Sequence, residues 1–435
     1  MKHLLIIILF LLQLNVVKSQ EFDTTIFVNW LNEKLIRVNN LDVNKSPELD
    51  EIFKSKRIVG IGEPVHGSKT VNEIRNTLAK HLIQNNGFSA IAFEFPFKTG
   101  LEVNDYVLNG KGNINDIISN SNFFIKSYEF IDLIEWIKKC NENRINKVQV
   151  FGFDIQGNRD LTDDLTNYFI LKNKSLSNDF DKIKQIISTK GNKYKNFTKD
   201  EIEFTRNTLN KAKLEFIECS SADCDLGKQK LFVFENHLKM ANSSFSDGVL
   251  MRDSCNALII KWVTDKLGED SKLILSAHSG HLGKFHILSP RVRTMQPDIF
   301  YHLWEQDFFT GYWLNKIFED DYYFIGIQFN KGFFMGFNPN NKFKMDKMEV
   351  TPPSSNSLNF LLSKANSNNY LIELKPSMSS HKMIIDYLCS FQNCYSIGAA
   401  YDYKYLKTML VEYYDAILFI DSVQESNLIK YENEE

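Results

Sequence analysis

The stretch Arg57-Ile-Val-Gly-Ile-Gly-Glu63-Pro-Val-His66-Gly67 decides the fold. Residues 58–62 are apolar without a polar alternation, which is the habit of a short strand buried on both faces, as in a parallel sheet. The run then stops on a carboxylate, and Pro64 and Gly67 turn the chain. Residues 71–84 carry apolar side chains at helical spacing, and Asn85-Asn86-Gly87 supplies a stop signal. Ser89-Ala-Ile-Ala-Phe-Glu94-Phe repeats the first pattern and is closed by Pro96. Strands that alternate with helices in this way argue for a mainly parallel sheet with helices on its faces.

Working outward, a helix over residues 128–140 leads to a third strand over 147–153 that ends at Asp154. Residues 158–246 are long, polar and helical, and read as a helical insertion able to serve as a lid. Leu231-Phe-Val-Phe234 sits in a helix there. A helix over 247–267 stops at Gly268, and Lys272-Leu-Ile-Leu-Ser-Ala277 is the fourth strand. Residues 322–329 and 332–337 read as a strand pair, and 416–420 as a closing strand. The expected fold is therefore α/β, a mainly parallel sheet with helices on both faces. Residues 20–157 and 247–435 form its two halves around the insertion, and no internal repeat is visible.

Residues 1–19 read as a signal peptide. Lys2 and His3 precede an apolar run from Leu4 to Leu14, and Val17 and Ser19 suit a cleavage site before Gln20. The run is shorter than the roughly 18 residues a membrane span needs. A periplasmic or secreted protein is expected, with no stable membrane insertion after cleavage. Across all 435 residues, 43% are hydrophobic and 24% charged, which is ample for a large core. The net charge of −3 gives no electrostatic case for nucleic acid. Of six cysteines, Cys219 with Cys224 and Cys389 with Cys394 are spaced to close small disulfide loops. Cys140 and Cys255 are expected to be buried thiols.

In open α/β sheets the chemistry gathers outside the carboxyl ends of the strands. The four expected strands end in Glu63 with His66, in Glu94, in Asp154, and in His278 with His281. One such residue would mean little, since strand ends are commonly solvated. Four together point to a site. Arg75 falls inside the apolar stripe of Val71, Ile74, Leu78 and Leu82, where an arginine needs a partner. Arg252 borders the stripe of Met251, Cys255, Ile259 and Trp262, a weaker case. Gly60-x-Gly62 lacks the third glycine of a dinucleotide site because Val65 stands in its place. No Gly-x-Ser-x-Gly elbow is present, so Ser279 is not read as a nucleophile. Zinc on Glu63, His66, Glu94, His278 and His281 is an alternative. Acid–base chemistry without a metal or other cofactor is the preferred reading.

Gly62-Glu-Pro-Val-His-Gly67, Arg75, Glu94 within Ala-Phe-Glu-Phe, Met251-Arg-Asp253 and Ala277-His-Ser-Gly-His281 together resemble the erythromycin esterase family over residues 50–300. Serine stands at 279 where that family commonly has asparagine. The resemblance implies a carboxylic ester hydrolase acting on a small-molecule ester, a macrolide lactone in the best-known members, and hence antibiotic resistance. It implies His66 as general base for water, with Glu63 and Glu94 orienting it. Arg75, His278 and His281 would bind or polarise the carbonyl, and Arg252 and Asp154 would contact substrate. A metal-dependent hydrolase and a catalytically idle binder of a hydrophobic ligand are the competing expectations.

Overall fold

A computed structural model describes residues 22–38, 47–119, 125–217, 219–284, 309–399 and 405–429. The expected signal peptide lies outside these residues. Among them, no helix is long and apolar enough to cross a membrane.

The strands are β1 (Ile36–Arg37), β2 (Ile58–Glu63), β3 (Phe88–Pro96), β4 (Gln149–Asp154), β5 (Lys272–His278), β6 (Tyr322–Asn338), β7 (Lys344–Val350), β8 (Asn369–Glu373), β9 (Phe391–Tyr395), β10 (Tyr405–Met409) and β11 (Ala416–Val423). The main sheet runs in the order β1-β8-β11-β6-β2-β5-β3-β4, with β7 on β6. From β11 to β4 the neighbours are all parallel, while β8, β1 and β7 join antiparallel. The fold is thus α/β with a mostly parallel sheet. β5 lies between β2 and β3, and β4 follows β3, so all four charged strand ends stand side by side.

Successive side chains of a strand face opposite ways, and here each face meets its own core. Ile58, Ala90, Ala92, Leu273, Leu275 and Phe324 point to one side. Val59, Ile61, Ile91, Phe93, Ile274 and Ile325 point to the other, where the helices Lys69–Asn85 and Tyr128–Glu142 pack. Helices Leu161–Phe169, Lys174–Lys190, Lys199–Glu215 and Ala222–Ala241 occupy the long polar stretch. Thr198 and Glu201 start the third of these with a capping box. Phe169, Phe180, Phe216, Leu231 and Phe234 join these helices to the first core, so they share the apolar interior of that sheet face. Leu231 to Phe234 are helical, as expected, despite four apolar residues in a row.

Two expectations need correction. Residues 322–337 are not a strand pair: β6 is one continuous strand. Its residues 325–332 pair with β11, and from Gly332 to Asn338 it pairs with β7. Asn330 and Lys331 look like a turn in sequence but form a hand-over between partners. Cys219 and Cys224 form a disulfide, whereas Cys389 and Cys394 are free. Cys394 is buried inside β9, paired there with β10, while Cys389 is exposed beyond the helix Lys382–Leu388. Cys255 is buried as expected, and Cys140 is only half-buried.

Residues 424–429 return from β11 to the edge of the helix Lys69–Asn85. The Lys69 amide donates to the Gln424 carbonyl (2.8 Å), and the Ser426 amide donates to the Gly67 carbonyl (2.8 Å). The Gln424 amide donates to Thr70 Oγ1 (3.0 Å). This strap binds the turn that follows β2.

Candidate active site

Glu63 is buried at the end of β2, and each carboxylate oxygen has a partner. Oε1 takes His66 Nδ1 at 2.6 Å and Oε2 takes Arg75 Nη1 at 2.9 Å. Ser68 caps the helix that carries Arg75, which aims the guanidinium back at the strand end. Arg75 Nη2 donates to Asn72 Oδ1 (2.7 Å), and Asn72 Nδ2 donates to Ser426 Oγ (3.1 Å). The strap therefore reaches the histidine through Asn72, Arg75 and Glu63. Burial pushes the Glu63 carboxyl up, but Arg75, His66 and His278 outweigh it and leave it below the usual range. A carboxylate on Nδ1 fixes that nitrogen as the N–H and leaves the lone pair of His66 on Nε2.

A second constellation forms at the ends of β3 and β4. Arg252 binds Asp154 through Nε to Oδ1 (2.8 Å) and Nη2 to Oδ2 (2.6 Å). The same Nη2 donates to Glu94 Oε1 at 2.9 Å. Glu94 Oε1 is 3.3 Å from His281 Nε2, and its Oε2 accepts the His278 amide at 2.8 Å. Burial opposes the charge of Glu94, but His281 and Arg252 hold it far below the usual carboxylate range. Burial likewise opposes the Arg252 charge, yet Asp154 and Glu94 raise it well above its ordinary value. His281 Nδ1 meets Asp253 Oδ1 at 2.8 Å. Burial would lower the His281 pKa, but Asp253 and Glu94 raise it. Asp253 Oδ1 also accepts Thr310 N (3.0 Å) and Thr310 Oγ1 (2.7 Å).

His278 lies between the two constellations, its ring centroid 5.2 Å from His66 and 6.4 Å from His281. The Gly280 amide donates to His278 Nδ1 at 3.0 Å, so the ring proton sits on Nε2. Among the described residues that buried Nε2 has no hydrogen-bond partner. Burial drives the His278 pKa down to about 4, so the ring is neutral near pH 7. A neutral imidazole with one unmet N–H is a donor waiting for an acceptor.

All eight residues singled out in the sequence thus lie in one connected cluster. Arg75 is committed to Glu63 and Asn72, and Asp154 is wholly buried against Arg252. Arg252, the weaker case in sequence, is the hub of the second constellation. Asp253 was missed as a site residue, although its place in the Met251-Arg-Asp253 motif was a signal for it. Among the described residues, no group of three or more His, Cys, Asp and Glu side chains is arranged to hold a metal ion. Glu63 and Glu94 face arginines instead.

The family description "Erythromycin esterase" matches residues 83–423, well over half the chain. The chain belongs to the erythromycin esterase family. Glu63, His66 and Arg75 precede the matched span. The Escherichia coli erythromycin esterase type II is 29% identical over 136 residues, which cover 30% of this chain and 32% of that enzyme. The match thus spans about a third of that relative's length. The Bacillus subtilis protein YbfO, which carries a provisional hydrolase name, is 22% identical over 424 residues, covering 88% of this chain and 87% of that one. Among solved structures, a histidine-to-asparagine mutant of the erythromycin esterase EreC, in its open conformation, superposes with a TM-score of 0.67 at 16% identity. That likeness covers 92% of this chain and 99% of the other, and shows the shared fold. Family membership supports a hydrolase.

Proposed function

We propose that this family member is an exported ester hydrolase, opening a macrolide lactone or hydrolysing another bulky ester. The observation that carries the reading is the pair of facing histidines with opposite polarity. His66 presents a lone pair on Nε2 because Glu63 holds Nδ1, and His278 presents an N–H because Gly280 occupies its Nδ1. Water placed between His66 and an ester gives up a proton to His66 Nε2 as its oxygen bonds to the carbonyl carbon. The carbonyl π pair moves to oxygen, and the His278 N–H meets the resulting oxyanion. When the tetrahedral intermediate collapses, the alkoxide leaves and takes the proton back from His66. The product acid then ionises.

Arg75 keeps Glu63 charged, and Arg252, Asp154 and Glu94 anchor the backbone from which His278 projects. The test is to incubate the purified protein with erythromycin and with 4-nitrophenyl butyrate, with and without a chelator. Mass spectrometry should show the macrolide gaining one water, and the chelator should change nothing. Turnover of the aryl ester alone would keep the hydrolase and remove the macrolide. Turnover abolished by the chelator and restored by zinc would replace this mechanism with a metal-dependent one.

A further inference from the structure

The turn after β9 comes back onto the site. The Ile397 and Gly398 amides both donate to the Pro64 carbonyl (2.6 and 3.1 Å), and the His66 amide donates to the Gly398 carbonyl (3.0 Å). Val65 and Gly398 form a parallel bridge, and the Phe337 amide donates to the Ala399 carbonyl (2.8 Å). Gly398 is therefore fastened to the β2 turn on one side and, through its neighbour, to β6 on the other. Its backbone has little freedom to retreat.

A methyl group added at Gly398 would face His278 Nε2 at 3.9 Å, and no other described atom lies within 4 Å of it. The space in front of Gly398 is thus the space in front of the unmet His278 donor. An acceptor oxygen needs about 3 Å to that nitrogen and somewhat more to any carbon. It cannot lie between a Cβ and Nε2 on a line of that length.

We propose that Gly398 is a specificity-determining residue whose missing side chain is the slot for the substrate's carbonyl oxygen at His278. This rests on the ester-hydrolase reading. The slot admits an oxygen from the Gly398 side of Nε2 and narrows when position 398 carries a side chain, which leaves only approaches well off the Cβ–Nε2 line. Gly398 also sits at φ 70°, where any L side chain is strained, so a backbone control is needed. Gly87 supplies it: its φ is 76°, and a Cβ there meets nothing within 4 Å among the described residues.

The experiment compares the wild type with Gly398→Ala, Gly398→Val and Gly87→Ala, using 4-nitrophenyl butyrate and erythromycin as probes and thermal melting as the folding readout. Both alanine variants should melt lower by similar amounts. The kcat of Gly398→Ala should fall by about tenfold or more, and that of Gly398→Val further. The loss should sit in kcat more than KM, because the donor acts chiefly on the developing oxyanion. Gly87→Ala should stay within about twofold of wild type, as expected for strain far from the chemistry. A Gly398→Ala enzyme with wild-type kcat, or one whose loss Gly87→Ala matches, overturns the slot while leaving the hydrolase intact. A wild type that leaves both esters untouched overturns the hydrolase reading and the slot with it.

Discussion

The two arginine–glutamate–histidine sets, Arg75–Glu63–His66 and Arg252–Glu94–His281, use the same three side-chain types toward different ends. In the first, one carboxylate is shared between one arginine and one histidine. In the second, Asp154 and Asp253 add two further carboxylates, and both ring nitrogens of His281 face acidic groups. Extra negative charge around the second imidazole favours its protonated form. Arg252 Nη1, 3.1 Å from His281 Nε2, works against that charge, and the carboxylates prevail in raising the His281 pKa. The same three residue types thus sit in different electrostatic settings according to how many carboxylates surround them.

The widest gap between the sets should open on deleting each histidine's function. His66→Ala should lower kcat/KM by about 10²–10⁴-fold, the usual worth of a general base, as read from initial rates. Breaking the second set should instead cost stability. Asp154→Ala leaves a buried guanidinium short of its bidentate partner and should destabilise by about 3 kcal/mol, measured by the denaturant midpoint. Asp253→Asn keeps an acceptor for Thr310 but removes charge beside His281. The His281 pKa should fall, visible in NMR titration of its ring protons, with activity at pH 7 reduced about tenfold.

A gentler probe is pH. His278 and His237 are both buried and lowered from 6.5 to about 4. Between those values the unfolded chain binds protons that the folded chain refuses. Stability should therefore be full above pH 6.5 and decline as pH falls toward 4, in urea unfolding measured across that window. His237→Asn should flatten the slope. Least of all, Lys69→Ala removes an exposed ion pair to Glu73 and should change stability by about 0.5 kcal/mol or less.

What was legible in the sequence was whatever a short range of residues could express. Unbroken apolar runs ending in Glu63, Glu94, Asp154 and His278 announced strand ends, and an arginine within an apolar stripe announced a buried partner. Arg252 was harder because its partner Asp154 lies 98 positions away and its helix gave no sign of facing the rim. Gly398 carries no local pattern at all, and Asp253 only its place in the Met251-Arg-Asp253 motif; what the fold brings beside them gives both their place at the site. The two cysteine pairs share one spacing and differ in outcome. Spacing sets whether a loop can close, while the strand pairing of β9 decides whether it does.

The strap formed by residues 424–429 has a consequence for timing. Ser426 is made 354 residues after Asn72, yet it steadies Asn72 and Gly67, and through them the arginine and carboxylate beside His66. A nascent chain can thus complete β2 to β5 and still lack the contact that settles Arg75 against Glu63.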